Sequence, residues 1–591
     1  MHNRLDWQKQ LVRAAMCAIT VLALAQDALP AAEGPVLPGT ALWALAAGAA
    51  WTLYGALLKL RRPFAPARLA VLAAALAGVV ALGQSFAAVG TAELVTGRLM
   101  RTALVLAGYA LLVFAAMRLL LEALSTPREA REQRFPLPGP APVWLGALLL
   151  ACWLPWYVCL YPGTVSNDSI SQLKEIMGLV PMSNANPVFQ TWLLGAFRQA
   201  GLWLGSADAG VALYCVTQAV LMAWLLGTLL DGIRVSEAPR WLFWTALAFY
   251  ALCPIFPVFA FCVGKDTNFA MAVLFLSLMV RRVVEEPGRR GAARYAGLCT
   301  AAVLCALLRN PGVYLALLTL ALLLAWTLRR RLRRETGAWR LPALAAACVL
   351  VVYGGLHLMV LPGLNIAPMP ESENYSLPLQ QVARVAAGGG LTEEQAEAVA
   401  GVLPVEELKA AYNGELSDPV KALWREDATP EQKRAFWRAW TEIVMDHPVT
   451  CLSATFHNTY GYLYPGYMSV IKPTLLIGDQ STRTASVKGL YDYTVNPLSE
   501  RLEAFTGRLA QNPLYRLVVS PGLYGWIVLM SAVWLLRGNR GRLLCAVPAV
   551  FTLAGCLLSA VNGYFRYAMP LYLCAPLLLW LTAKGREQRQ R

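Results

Sequence analysis

Long apolar runs alternate with short polar connectors along nearly the whole chain. Runs of about 20 apolar residues are each long enough to cross a bilayer as a helix. The pattern predicts spans over 9–30, 39–60, 67–89, 101–122 and 141–160. They resume at 209–230, 241–262, 267–283, 293–309, 311–329 and 341–361, and end with 517–536, 541–561 and 566–583. The expected fold is therefore an all-α polytopic membrane protein of about fourteen spans. Two polar regions interrupt the series, a loop over 161–208 and a larger region over 363–515. The expected units are an accessory module of four spans (1–135), a transmembrane core (136–362), an external domain (363–515) and the carboxyl-terminal spans with a tail (516–591).

The stretch Pro187–Gly205 is apolar but includes Gln190, Arg198 and Gln199 and opens on a proline suited to a helix start, so it reads as a helix lying at the interface. Charge parity requires this. With that stretch not crossing, every basic cluster falls on one side: Lys59, Arg61, Arg62 and Arg68; Arg128, Arg131 and Arg134; Arg281, Arg282, Arg289, Arg290 and Arg294; Arg329 to Arg334; Arg537, Arg540 and Arg542; and Lys584, Arg586, Arg589 and Arg591. This is the positive-inside pattern. It predicts both termini in the cytoplasm, an uncleaved signal-anchor behind Arg4, Lys9 and Arg13, and the polar regions outside. Asp27 and Glu93 then read as solvated span ends.

In the external region, Ser376 to Arg384 reads as a helix broken at Gly388-Gly389-Gly390. Thr392-Glu393-Glu394-Gln395 and Thr429-Pro430-Glu431-Gln432 carry the spacing of capping boxes. The aromatic stretch 430–464 reads as helix, with a break where His447 meets Pro448, and returns the domain to the bilayer surface.

Composition agrees with a membrane setting: 57% of residues are hydrophobic and only 15% charged. The net charge of +16 is spread over short connectors rather than a folded basic domain, which argues against nucleic acid. The 13 cysteines lie almost all within apolar runs and form no CxxC pair, so they read as small buried hydrophobes. HExxH, GxSxG and Walker patterns are absent. With only four histidines a histidine-rich metal site is excluded, while a divalent cation held by carboxylate at Asp168 stays open.

The outer-face polar residues are then few. Asp168, in Tyr161-Pro162-Gly163-Thr164-Val165-Ser166-Asn167-Asp168, leaves two roles open on spacing alone: a helix N-cap and a general base. Lys265 and Asp266 occupy a tight turn, and Arg309 and Arg566 each sit at a span end. Cations gathered at a membrane face suit a lipid phosphate, and a neighbouring carboxylate suits deprotonation of a hydroxyl.

The order Asp168…Gln172, Asn186-Pro187, Lys265-Asp266, Arg309-Asn310-Pro311-Gly312, Gln380-Gln381-Val382-Ala383-Arg384, His447-Pro448 and Arg566-Tyr567 resembles the C-type (GT-C) superfamily of membrane glycosyltransferases, and within it an uncharacterised bacterial family. The resemblance covers roughly 141–583 and leaves out the four leading spans. Where that superfamily often has a histidine before the interfacial-helix proline, this chain has Asn186. The resemblance implies a multi-pass protein of the bacterial cytoplasmic membrane, a polyprenyl-phosphate-linked sugar donor, and an envelope glycan, lipid or protein acceptor. By position it makes Asp168 the base, Asp266 a second catalytic candidate, and Lys265, Arg309, Arg384, Arg566, Gln172 and His447 substrate or phosphate ligands. Two other readings fit the same pattern: a transporter or flippase of lipid-linked intermediates, and a non-catalytic envelope-assembly protein.

Overall fold

In a computed structural model, the structure describes residues 2–28, 40–125, 139–287, 291–335, 338–467, 496–538 and 540–583. The basic residues Arg128, Arg131, Arg134, Arg289, Arg290, Lys584, Arg586, Arg589 and Arg591 lie outside the described residues, as do the side chains of Arg4, Asp27 and Arg537. The chain is helical almost throughout. Nine of its described helices are long and apolar enough to cross a membrane, ten if one bent pair counts as a single span. It is a multi-pass, all-α membrane protein.

The leading helices are α1 (His2–Ala28), α2 (Thr40–Leu58), α3 (Ala67–Val89) and α4 (Leu99–Leu124). The core begins with α5 (Ala141–Leu160), a short strand β1 (Thr164–Val165), α6 (Asn167–Ile176), α7 (Val188–Trp203) and α8 (Ala207–Arg234). It continues through α9 (Arg240–Leu252), α10 (Ile255–Ala260), strand β2 (Cys262–Val263), α11 (Lys265–Glu285), α12 (Ala292–Leu308), α13 (Gly312–Leu332) and α14 (Arg340–Gly355). The polar region contributes α15 (Ser376–Ala387), α16 (Glu393–Ala400), α17 (Val405–Ala411), α18 (Pro430–Asp446) and α19 (Pro448–His457). The chain closes with α20 (Pro497–Leu509), α21 (Pro513–Val519), α22 (Pro521–Gly538), α23 (Arg540–Cys556) and α24 (Phe565–Ala583).

The count of about fourteen spans is revised where helices run short of the roughly 20 residues a crossing needs. The apolar parts Trp43–Leu58 and Ala292–Leu308 are shorter, and α23 has 17 residues. The largest departure is at 241–262, expected as one helix. Here α9 ends after 13 residues because Pro254 forces Cys253 into extended backbone, ψ 121°. Short α10 and strand β2 follow, with every residue buried. The stretch 517–536 is also bent, with a 55° break between α21 and α22 at Ser520-Pro521. Helix α7, at 16 residues, is not among the candidate spans. It packs closely on α8, where Gly201 and Gly210 leave no room for a side chain, and keeps Trp203 largely exposed.

Three apolar cores divide the molecule. The first gathers α1 to α4 around Tyr54, Leu57, Leu69 and Phe114 and reaches α22 through Met530. The second, largest core contains α5 to α14 and α20 to α24. Within it α11 and α24 are buried on nearly every face and sit at the centre, packed on each other. The third core lies in the polar region, where Leu379, Val382, Val399, Leu408, Phe436 and Ile443 meet.

The local signals of that region hold in detail. Thr392 with Gln395 and Thr429 with Gln432 form complete capping boxes, α15 ends before Gly388, and His447 separates α18 from α19 at the Pro448 break.

Candidate functional site

Two parallel strands of two residues each bring the site together. Thr164 and Val165 pair with Cys262 and Val263, joined by Thr164 N–H to Phe261 O (2.9 Å) and Ser166 N–H to Val263 O (3.3 Å). A short helix and a central one therefore start side by side, which places Asp168 next to Lys265 and Asp266. Gly163, with φ +140°, stands against Cys215 and Phe261 where any side chain would collide.

Buried polar side chains fix the irregular backbone beneath. Gln218 Nε2 donates to the carbonyls of Phe259, Ala260 and Cys262 at 2.9–3.0 Å. Ser169 Oγ donates to Val263 O at 3.0 Å and Thr267 Oγ1 to Phe259 O at 3.1 Å. Tyr214 collects Gln190 and Asn268, each donating at 2.7 Å. Carbonyls left without helical partners at the carboxyl end of α10 and in β2 are thereby satisfied, as burial requires.

The helix cap belongs to Ser166, whose Oγ accepts from Ser169 N–H. Asp168 lies inside the first turn, so the capping alternative is set aside and its carboxylate points elsewhere. Its Oδ2 lies 3.0 Å from Lys265 Nζ and 3.1 Å from an Arg566 guanidinium nitrogen. Arg566 Nε faces Asp266 Oδ2 at 3.6 Å, and Arg309 faces Asp266 Oδ1 at 3.5 Å. The result is an unbroken line of alternating charge: Lys265, Asp168, Arg566, Asp266, Arg309. Three cations against two carboxylates leave the line one positive charge in excess. Lys265 also donates to Asn186 Oδ1, which brings the Asn186-Pro187 pair to the site. Arg566 lies over the rings of Tyr564 (4.8 Å) and Tyr567 (5.3 Å), and Arg309 over Tyr567 (4.6 Å).

Burial alone would raise the pKa of Asp168, but Lys265 and Arg566 outweigh it and hold the carboxyl well below the usual carboxylate range. Asp266 is more enclosed, with 7% of its side chain exposed. Its Oδ1 and Arg566 Nε make no hydrogen bond among the described residues, because their ionic contacts are too long to be one. Polar capacity at the centre of the line is thus unused.

Asp168, Asp266 and Arg566 line a cavity of about 420 Å³ with Ser166, Asn167, Thr267, Phe259, Tyr564 and, from the polar region, Leu416 and Asp418, while Lys265 and Arg309 stand behind the two carboxylates and do not line it. Lys265, Asp266 and Arg566 stand at the amino-terminal ends of α11 and α24, and Arg309 lies between α12 and α13. The cavity sits at one end of the bundle, where helix amino termini favour an anion. Its residues do not fit a divalent cation. Among the described residues no cluster of three acidic, histidine or cysteine ligands exists, and both carboxylates are interleaved with three fixed cations.

Three predicted ligands are placed elsewhere. Arg384 donates to Tyr412 Oη (2.9 Å) and Gly90 O (2.9 Å) and meets His457 Nδ1 at 3.2 Å, which joins the polar region to the leading helices. His447 Nε2 bonds Gly390 O at 2.8 Å. Gln172 is fully buried and donates to Thr191 Oγ1 at 2.9 Å, tying α6 to α7. None of the three lines the cavity. Asp418, Tyr564 and Gln218 escaped the sequence reading. Tyr564 flanks Arg566 and could have been found, whereas nothing local marks Asp418 or Gln218.

None of the curated proteins and none of the solved structures matches this chain. A family model does match, over residues 178–591, which include Lys265, Asp266, Arg309 and Arg566 and begin ten residues after Asp168. By that match over more than half its length, the chain belongs to a family of unknown function (DUF6020).

Proposed function

We propose that this chain is a membrane glycosyltransferase that moves a sugar from a polyprenyl-phosphate donor to a cell-envelope acceptor at the outer membrane face. The observation that carries the proposal is the line Lys265–Asp168–Arg566–Asp266–Arg309, one positive charge in excess, whose three middle members face a cavity at one end of the bundle. Cations held at low exposure stabilise a phosphate leaving group more strongly than solvated ones. In the reaction the acceptor oxygen bonds to the anomeric carbon and the bond from that carbon to the phosphate oxygen breaks. The acceptor proton passes to Asp168, and the polyprenyl phosphate leaves toward Arg566, with Arg309 adding its charge from behind Asp266.

The resting site explains how a strongly acidic carboxyl performs this task. Lys265 and Arg566 hold Asp168 ionised but weakly basic. A phosphate arriving at Arg566 competes for it, so Asp168 loses one of its two partners and gains basicity when donor is bound. Ionisation without substrate keeps the carboxylate unprotonated at every physiological pH.

The test is transfer of radiolabel from a polyprenyl-phosphate sugar to an envelope extract by detergent-purified protein, with no membrane gradient. Asp168→Asn, which preserves size, is expected to lower transfer by roughly 10²–10⁴-fold. Wild-type transfer by that variant would remove Asp168 from the mechanism. Label that crosses proteoliposomes without reaching any acceptor would favour a flippase instead.

A further inference from the structure

The cavity has two unlike ends. One end holds Arg566 with Asp168 and Asp266, while part of the wall comes from the polar region through Leu416 and Asp418. The tongue that carries them, residues 413–418, is fixed to the chain just before α24. Leu416 bridges Val561, Ser417 N–H and Oγ both donate to Ala560 O (2.8 and 3.1 Å), and Asn562 N–H donates to Glu415 O at 2.9 Å. Behind it, Gln380 Nε2 donates to Asn413 O at 2.8 Å and Asn458 Nδ2 to Ser559 O at 2.7 Å. The same short segment thus positions both the tongue and Arg566.

Asp418 is held as well. Its Oδ1 meets Lys421 Nζ at 2.8 Å, and Lys421, itself nearly buried, also meets Glu373 at 2.8 Å. Asp418 keeps 54% of its side chain exposed, and its Oδ2 has no partner among the described residues. A carboxylate oriented on one oxygen and open on the other accepts hydrogen bonds from neutral hydroxyls, and such charge-assisted bonds are the strong ones. A cavity of this volume holds a small organic ligand.

We infer that Asp418 is a specificity-determining residue that accepts hydrogen bonds from the hydroxyls of the transferred sugar, while the Arg566 end takes the phosphate. The ligand then lies with its phosphate at that end and its ring toward the tongue. This assignment rests on the phosphate-sugar reading of the cavity, and it makes the polar region part of the site rather than an appendage.

The experiment measures binding to the full-length protein in detergent, using farnesyl phosphate, farnesol and a panel of farnesyl-phosphate hexoses and pentoses. Wild type is expected to prefer farnesyl phosphate to farnesol and at least one glycosylated probe to farnesyl phosphate. Asp418→Ala is expected to weaken that glycosylated probe about tenfold and leave farnesyl phosphate unchanged. Asp418→Asn keeps an acceptor and is expected to fall between the two, whereas Arg566→Gln weakens every phosphate probe. If wild type binds farnesyl phosphate no better than farnesol, the phosphate reading falls and this inference with it. If phosphate binding is intact but no glycosylated probe gains over the bare phosphate, or Asp418→Ala weakens all probes equally, the role of Asp418 alone is overturned.

Discussion

Arg566 is the residue on which the site depends, because one guanidinium serves two carboxylates, Asp168 at 3.1 Å and Asp266 at 3.6 Å. Its removal leaves two enclosed negative charges short of a partner. Arg566→Ala is expected to destabilise the protein by about 3 kcal/mol, measured by thermal unfolding in detergent. Asp168→Asn added to that variant is expected to restore part of the loss, and strict additivity in the cycle would show that the two side chains do not interact. Arg566→Lys keeps the charge but not the fork, so it should still lose transfer activity. For Asp168 the folded pKa lies below the unfolded one. Its contribution to stability is therefore complete above about pH 4 and is lost only as pH falls through the folded value. A pH titration of stability between 5 and 9 should accordingly be the same for wild type and Asp168→Asn in slope, though not in level.

At the scale of elements, position is set by short irregular pieces rather than by the long helices. Two-residue strands hold Asp168 beside Lys265, and Gln218 supports the carbonyls at the end of α10 and in β2. Gln218→Leu is expected to cost about 2–3 kcal/mol, since it leaves buried carbonyls unpaired, and to reduce transfer although Gln218 touches no substrate. An unchanged activity per folded molecule would show that the segment 259–264 keeps its course without it. Caps in the polar region act independently of the site: Thr429→Ala should cost about 1 kcal/mol in thermal unfolding and leave transfer intact. The capping boxes were legible from sequence because every partner lies within four residues. The break at 253–254 was not, because a proline at a helix boundary resembles a proline tolerated within a span until neighbouring side chains decide.

Across the whole molecule, Arg384 and His457 join the polar region to the leading helices at Gly90 and Phe86. Burial, aided by the Arg384 charge, pulls the His457 imidazole down to about 4. Folded protein therefore holds it neutral. The stabilisation is complete above about pH 6.5 and is lost as pH falls toward about 4. Lowering the pH from 7 to 5 is expected to loosen this contact by about 1–2 kcal/mol, after allowance for solvent screening. Hydrogen exchange across residues 83–97 and 376–387 reads the change, and His457→Gln should flatten it. Exchange that is equally pH-dependent in that variant would assign the effect to another group.

The sequence by itself determined the membrane class, the succession of helices and the capping of the polar region, because those follow from hydrophobic length and contacts a few residues apart. It also indicated Asp168, Lys265, Asp266, Arg309 and Arg566, since charged residues at span ends are few. Only the tertiary structure decided that these five form one line, that Ser166 and not Asp168 caps the helix, and that Arg384, His447 and Gln172 serve packing elsewhere. It alone brought Asp418 to the cavity. The physical reason is separation: Asp168 and Arg566 lie 398 residues apart, and no local propensity encodes which helix ends meet.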